Sequence, residues 1–342
     1  MSISQKDLDY IKERFINSAR PLIFYDDDPD GLCSFLQFYH LNTESKGIVV
    51  NTKPFLDESF TRKVEEYQPD LVIVLDMSDV SQDFIDGCKS PIIWIDHHKP
   101  VKRNNIKYFN PMIDSDGKDN RSVSYWSYKI TGGPMWLAMI GCTGDWMIPD
   151  FAEEFSKEYP KLLESVPEKP DDVLFESRVG DLVKAFNYVM KGGHDKSKKC
   201  IKILTRIKDP FEILDETTAQ GKFIYRHYNN MNEKYEDLKS GVKVDDSNLL
   251  MYICPEDKTS FTSMLSNEIL HFYPNKFIII GRKKSGHYRI SLRSKKYEVR
   301  EIVDKALVGV QGYGGGHRYA CGANIQEDSF DQFLNVIKEE IK

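Results

Sequence analysis

The sequence predicts an α/β fold: a doubly wound parallel sheet, joined through a helical linker to a second, smaller α/β domain. Three observations predict it. Short apolar runs, Leu22-Ile23-Phe24-Tyr25, Leu71-Val72-Ile73-Val74-Leu75 and Ile92-Ile93-Trp94-Ile95, each end in acids or imidazoles; unbroken apolar runs of this length suit strands covered on both faces. Segments with helical spacing separate those runs, the alternation expected of a parallel sheet. The long polar and aromatic stretch from Gln220 to Lys239 then precedes a fresh apolar run at Leu249.

Taken in order, Leu8, Ile11, Phe15 and Ile16 recur at helical spacing, so residues 5–19 predict an amphipathic helix ahead of the first strand. After Asp30-Gly31, the run Leu32 to Tyr39 predicts a buried helix whose N-terminus faces the acids. A strand from Gly47 to Asn51 follows, then a helix through Phe60 to Tyr67, the strand ending at Asp76, a short helix near Phe84, and the strand ending at His97. Pro100 forbids that last strand from continuing. Ile106 to Pro111 predicts a further strand, and Ser122 to Tyr128 and Pro134 to Ile140 two helices, with Asp145 just beyond the second. Residues 150–205 are charged and interrupted by Pro160, Pro167 and Pro170, which suggests a helical lid or spacer. Lys191, Lys196, Lys198 and Lys199 make its most basic cluster, and a charge run of this kind is usually a solvated face. The final hundred residues predict strands at 249–253, 276–281 and 288–294, with helices near 264–270, 299–307 and 330–341.

Composition narrows the function class. The chain has 342 residues, long enough for two cores, and a formal net charge of −6. That sign argues against coating nucleic acid by bulk electrostatics, but leaves room for a local basic groove. Six cysteines, Cys33, Cys88, Cys142, Cys200, Cys254 and Cys321, are scattered without a C-x-x-C pair, so neither a zinc ribbon nor a disulfide framework is expected. The start carries no apolar signal-peptide core and no run approaches membrane-spanning length, so a cytoplasmic protein with no membrane partner is expected.

The strand tips carry the chemistry. The first run ends in Asp26-Asp27-Asp28-Pro29-Asp30-Gly31, the second in Asp76 and the third in Asp96-His97-His98. Strands of a parallel sheet bring their C-terminal ends to one edge, so three such tips describe one site. Acids after strands also cap helices, and Asp30 or Asp79 alone would more often be a cap. Asp26, Asp28 and Asp30 stand within five residues, however, where mutual repulsion is expensive unless a cation neutralises it. Oxygen and imidazole donors at this density suit manganese, iron or zinc.

These residues resemble the four successive motifs of the DHH phosphoesterase family: Asp26-x-Asp28-x-Asp30-Gly31, Asp76 after an apolar strand, Asp96-His97-His98, and Asp145 in Gly141-Cys142-Thr143-Gly144-Asp145. Gly314-Gly315-Gly316-His317 resembles the signature of the accompanying DHHA1 domain. The resemblance implies a catalytic domain with its spacer over 1–205, a linker helix over 206–243 and a substrate-binding domain over 244–342. It implies two divalent ions, Mn2+ first, with Mg2+ or Co2+ as alternatives. Asp28 with Asp26 would serve one ion, Asp30 and His97 the other, and Asp76 and Asp145 both or near both. His98 would contact the scissile phosphate or orient the site, while Asp96 would fix a histidine tautomer or else ligate. Such a pair of ions, about 3.5–4 Å apart, generates hydroxide and clamps an in-line displacement.

In the second domain, the glycines let backbone amides approach an anion, and His317 and Arg318 add donors. Alone, a glycine run is more often a flexible turn. Ser291-Leu292-Arg293-Ser294 resembles the arginine-bearing strand of DHHA1 domains, which makes Arg293, Ser294, Gly314, Gly315, Gly316 and His317 the expected substrate contacts, Arg293 as a bidentate phosphate ligand. Tyr25, Tyr125, Trp126 and Trp146 lie near the motifs as stacking candidates, although aromatics there are more often core. The opening acidic motif is closer to RecJ-type nucleases, especially the short archaeal ones, than to nanoRNases and cyclic-dinucleotide phosphodiesterases, and no counterpart of bacterial RecJ's OB-type domain is expected. The expected activity is exonucleolytic release of nucleoside 5′-monophosphates from single-stranded DNA or RNA by a protein acting beside replication or repair proteins. The alternatives are a dinucleotide or nanoRNA phosphodiesterase, and a non-catalytic replisome scaffold, since one eukaryotic replication subunit resembles the family with its catalysis lost.

Overall fold

Helices and parallel strands alternate along the first half of the chain in the computed structural model, which describes residues 3–51, 55–191, 193–255 and 261–342. The chain divides into two units, Met1–Tyr228 and Asn229–Lys342.

The first unit runs α1 (Gln5–Ile16), β1 (Pro21–Asp26), α2 (Pro29–Leu41), β2 (Lys46–Val50), α3 (Thr61–Tyr67), β3 (Leu71–Leu75), α4 (Gln82–Gly87), β4 (Ile92–Ile95) and β5 (Lys107–Phe109). It continues with α5 (Val123–Thr131), α6 (Met135–Gly144), α7 (Ala152–Glu158), α8 (Pro170–Glu176), α9 (Arg178–Met190), α10 (His194–Leu204) and α11 (Phe211–Leu214). All five strands are parallel, in the order β2-β1-β3-β4-β5. Successive side chains of a strand point to opposite faces, and both faces are covered here. Ile23, Tyr25, Ile73, Leu75, Ile93 and Ile95 join the large core formed with α2, α5, α6 and α9. Leu22, Phe24, Val72, Val74, Ile92 and Trp94 face a smaller core with Val64, Phe84 and Ile85 of α3 and α4. That two-sided burial is why the strand sequences are continuously apolar.

Two local readings shift. Ile16, expected on the inner face of the first helix, is half exposed at its last turn, while Leu8, Ile11 and Phe15 are buried. Residues 150–205, expected as a lid or spacer, supply Phe151, Phe155, Leu163, Val179, Leu182 and Phe186 to the same large core as the sheet.

Helix α12 (Ala219–Ser240) contains the division between the units. The second unit then has β6 (Leu249–Cys254), α13 (Thr262–Phe272), β7 (Phe277–Lys284), β8 (His287–Arg293), α14 (Val299–Ala306), β9 (Gly312–His317), β10 (Ala320–Gln326) and α15 (Phe330–Glu340). Its sheet order is β6-β7-β8-β10-β9, with only β6 and β7 parallel. One face buries Ile279, Ile290, Leu292 and Ile325 against α14 and α15. Buried Glu268 of α13 accepts from the Tyr235 hydroxyl at 2.6 Å and from Lys239 at 2.5 Å, fixing α13 to the end of α12. Among the described residues no helix is long and apolar enough to cross a membrane.

Candidate metal centre

The parallel register of β1, β3 and β4 brings their C-terminal ends to one sheet edge. Asp26 is the last residue of β1. Asp28 caps α2, accepting from the Gly31 amide at 2.9 Å, and Asp30 sits in that helix's first turn. Gly31 is required at this crossing: a Cβ there would lie 2.6 Å from the Asp26 carbonyl oxygen and 2.8 Å from its nitrogen. Asp76 follows β3 in the left-handed region, φ 59°, a conformation costing an aspartate on the order of 1 kcal/mol and found where surrounding structure enforces it. Asp145 closes the C-terminus of α6.

Three groups of these side chains each offer one ligand atom per residue within 4.8 Å of the others: Asp26, Asp28 and Asp76; Asp30, His97 and Asp145; and Asp76, His97 and His98. Asp76 belongs to two of them. Asp26 and Asp28 fall in one group and Asp30 and His97 in another, while Asp145 joins one group alone and His98 shares one with Asp76.

Neighbouring groups hold the two imidazoles in set orientations. His97 Nδ1 is 3.0 Å from the Asn120 carbonyl, so Nδ1–H donates there and Nε2 faces Asp76 Oδ1 at 3.4 Å. His98 Nδ1–H donates to Asp96 Oδ1 at 2.8 Å. Asp96 is fully buried and its other oxygen accepts from the His98 amide, the Tyr108 hydroxyl and Asn110 Nδ2 at 3.1–3.2 Å. Asp96 therefore orients His98, the part expected of it, with its capacity for donors used up. Asp30, equally buried, accepts from the amides of Val123 and Ser124 at 2.8 and 2.7 Å, at the N-terminus of α5.

Burial, then repulsion from Asp28, pushes the Asp26 carboxyl up to about 6. Burial, then Asp30, pushes Asp145 up to about 7. Asp28, Asp30 and Asp76 are raised for the same first reason. Asp27 is lifted to about 6 by burial, against the pull of Lys191. Burial opposes charge on His97, yet Asp145 and Asp30 hold it above the ordinary imidazole value; the bond to Asp96 raises His98.

This donor set fits divalent cations. Asp76 Oδ1 is buried and makes no hydrogen bond among the described residues, an orphan acceptor that a cation would satisfy. Carboxylate oxygens with one or two imidazoles suit a divalent cation of the hard or borderline class and not a soft metal.

Some sequence expectations are relocated by the structure. Ser294 is corrected: its side chain is fully buried, its hydroxyl accepts from the amides of Lys296 and Tyr297 at 3.1 Å each, and it caps the turn after β8 instead of facing a ligand. Arg293 spends Nε on Asn267 at 2.7 Å and Nη1 on the Leu292 and Cys321 carbonyls at 2.9 and 3.0 Å, leaving Nη2 and so no bidentate grip in this conformation. Gly314, Gly315 and Gly316 are not a turn but part of edge strand β9, paired with β10, where a Cβ on Gly316 would approach the Ala320 carbonyl oxygen to 2.4 Å. His317 at its end is exposed, and Arg318 pairs with Glu298. Tyr25, Tyr125 and Trp126 are core; Trp146, directly after Asp145, is 44% exposed.

Asn110, Tyr108 and the Asn120 carbonyl were not singled out from the sequence. Asn110-Pro111 after β5 repeats the pattern of an apolar strand ending in a polar group before proline, and that signal would have found Asn110.

The fold and site define an α/β protein with a candidate cation centre at the C-terminal edge of a parallel sheet. The chain belongs to the DHH family: residues 21–137 match the DHH family, N-terminal domain, and residues 254–342 match the DHHA1 domain. Among solved structures it is similar to RecJ in complex with Mn2+ from Thermus thermophilus, with TM-score 0.68 and 16% identity over 98% of this chain and 54% of that one, so it spans about half of that RecJ. It is also similar to exonuclease RecJ bound to manganese, with TM-score 0.63 and 14% identity over 98% and 93% of the two chains. CDC45 from Entamoeba histolytica gives TM-score 0.56 and 11% identity over 98% and 99%. No match was found among curated proteins.

Proposed function

We propose that this chain is a metal-dependent exonuclease that removes nucleoside 5′-monophosphates from the ends of single-stranded DNA or RNA, in the setting of replication or repair. The observation that carries the reading is the chain of three-residue groups at this edge, Asp26, Asp28 and Asp76, then Asp76, His97 and His98, then Asp30, His97 and Asp145, joined through Asp76 and His97, with the buried Asp76 Oδ1 lacking a donor among the described residues. Asp28 with Asp26 would hold one divalent ion, Mn2+ first, with Mg2+ or Co2+ as alternatives; Asp30 and His97 would hold a second, and Asp76 and Asp145 would serve both. Ions held there supply a hydroxide at neutral pH and neutralise charge developing on phosphoryl oxygens.

The remaining work falls to the chain's own groups. His98, its Nδ1 committed to Asp96, presents Nε2 from a side chain 44% exposed and donates to a phosphate oxygen when protonated. Trp146 offers an open ring beside Asp145 for a terminal base to stack on. In the DHHA1 unit, Arg293 Nη2, His317 and the glycine edge of β9 are the groups available to a strand's phosphates.

End-labelled oligonucleotides of graded length, incubated with Mn2+, test this directly. Ladders on long strands are expected. Cleavage of dimers alone would replace the reading with a dinucleotide phosphodiesterase, and no cleavage at all would point to a scaffold, a role the intact acids argue against.

A further inference from the structure

The loop from Asp119 to Ser124 touches two of the three members of the Asp30, His97 and Asp145 group through its backbone, and the Ser124 hydroxyl adds a bond to the Asp30 carbonyl at 2.9 Å. The Asn120 carbonyl lies 3.0 Å from His97 Nδ1, and the Val123 and Ser124 amides hold Asp30. Between them stands Arg121. Its Nε and Nη2 fork onto the two oxygens of Asp119 at 2.9 and 2.5 Å, and Nη1 donates to the Tyr125 hydroxyl at 2.8 Å. The guanidinium also lies over the Tyr125 and Trp126 rings, at 4.6 and 4.5 Å. The Tyr125 hydroxyl in turn donates to Asp150 at 2.7 Å, on the segment that follows Asp145.

We propose that Arg121 is a positioning residue: by clamping Asp119 and Tyr125 it fixes the Asn120 carbonyl against His97, locking the Nδ1–H tautomer that leaves Nε2 available to a metal ion. Asp145 Oδ2, an acceptor, lies 3.5 Å from the same nitrogen. If the carbonyl withdraws, Nδ1–H turns to Asp145 and two ligands of one group are spent on each other. Lysine cannot substitute, because a single ammonium cannot span both Asp119 oxygens and the tyrosine. The tautomer claim stands on geometry alone; its consequence for turnover rests on the proposed nuclease function.

The test uses the full chain labelled with 15N-histidine, metal-free, at alkaline pH where the rings are neutral, with His97→Gln to assign the signal. Wild type is expected to show His97 as the Nδ1–H tautomer. Arg121→Ala and Arg121→Lys should both show mixed tautomers and a tenfold to hundredfold loss of Mn2+ affinity, with kcat falling and KM for the oligonucleotide unchanged. Asp119→Asn cuts the same clamp from a half-buried position and should give the same readouts if the arginine variants do not fold. A folded Arg121→Ala protein with the wild-type tautomer and wild-type Mn2+ affinity overturns the inference, as does full rescue by Arg121→Lys. A locked tautomer in wild type, lost in the variants, without turnover on any oligonucleotide would support the clamp and contradict the nuclease reading instead.

Discussion

Asp76 combines three costs at one residue: a left-handed backbone, nearly complete burial and a carboxyl surrounded by Asp28, Asp30 and Asp145. Asparagine tolerates the same φ and removes the charge. Asp76→Asn should therefore abolish hydrolysis and Mn2+-dependent stabilisation, while raising the melting temperature of the metal-free protein by a few degrees; calorimetry with and without Mn2+ reads both. The neighbouring carboxyls set a pH dependence. Folded values of about 7 for Asp145 and about 6 for Asp26 lie above the ordinary 3.8, so the folded metal-free protein binds protons more tightly than the unfolded chain. These two acids thus cost stability increasingly as pH rises from about 4 through 6 and 7. Cations compete with those protons, so Mn2+ affinity should rise from pH 5.5 to pH 8, with proton release visible as a buffer-dependent heat in titration calorimetry. Unchanged affinity across that range would contradict ligation by Asp26 and Asp145. The crowding of these acids was legible in the sequence, because carboxylates this close repel one another unless a cation lies between them. Ser294 was misplaced because a hydroxyl carries the same letter whether it faces a ligand or caps a turn.

At the scale of elements, the site depends on α2 meeting the end of β1 without a side chain between them. Gly31→Ala would force a Cβ against Asp26 backbone atoms and should destabilise the fold by about 1–3 kcal/mol. It should also weaken Mn2+ binding, since Asp28 and Asp30 ride on the displaced turn; urea unfolding and metal titration measure the two effects separately. Wild-type stability in this variant would mean that helix and strand do not approach each other this closely. The strands were legible because burial on both faces leaves unbroken apolar runs. The glycine strand β9 was not, since glycine gives no alternation to read and its straightness comes from pairing with β10. After residue 150, proline breaks and surface charge hide that Phe155, Leu182 and Phe186 join the main core and do not form a lid or spacer.

Across the whole molecule, a net charge of −6 and a site built from carboxyls belong together if cations occupy the sheet edge. Family membership, the order of the motifs and the gathering of acids at one edge were readable from spacing. The backbone groups that hold those side chains in place, the Asn120 carbonyl and the amides of Val123 and Ser124, were not, because a backbone carbonyl or amide has no signature in the sequence. Two-metal chemistry at this edge requires Asp76 to be shared between two cation subsites. Anomalous diffraction at the manganese edge, from crystals grown in saturating Mn2+, tests this most directly. Two manganese peaks with the Asp76 carboxylate on both are predicted; a single peak, none, or peaks away from Asp76 would contradict it.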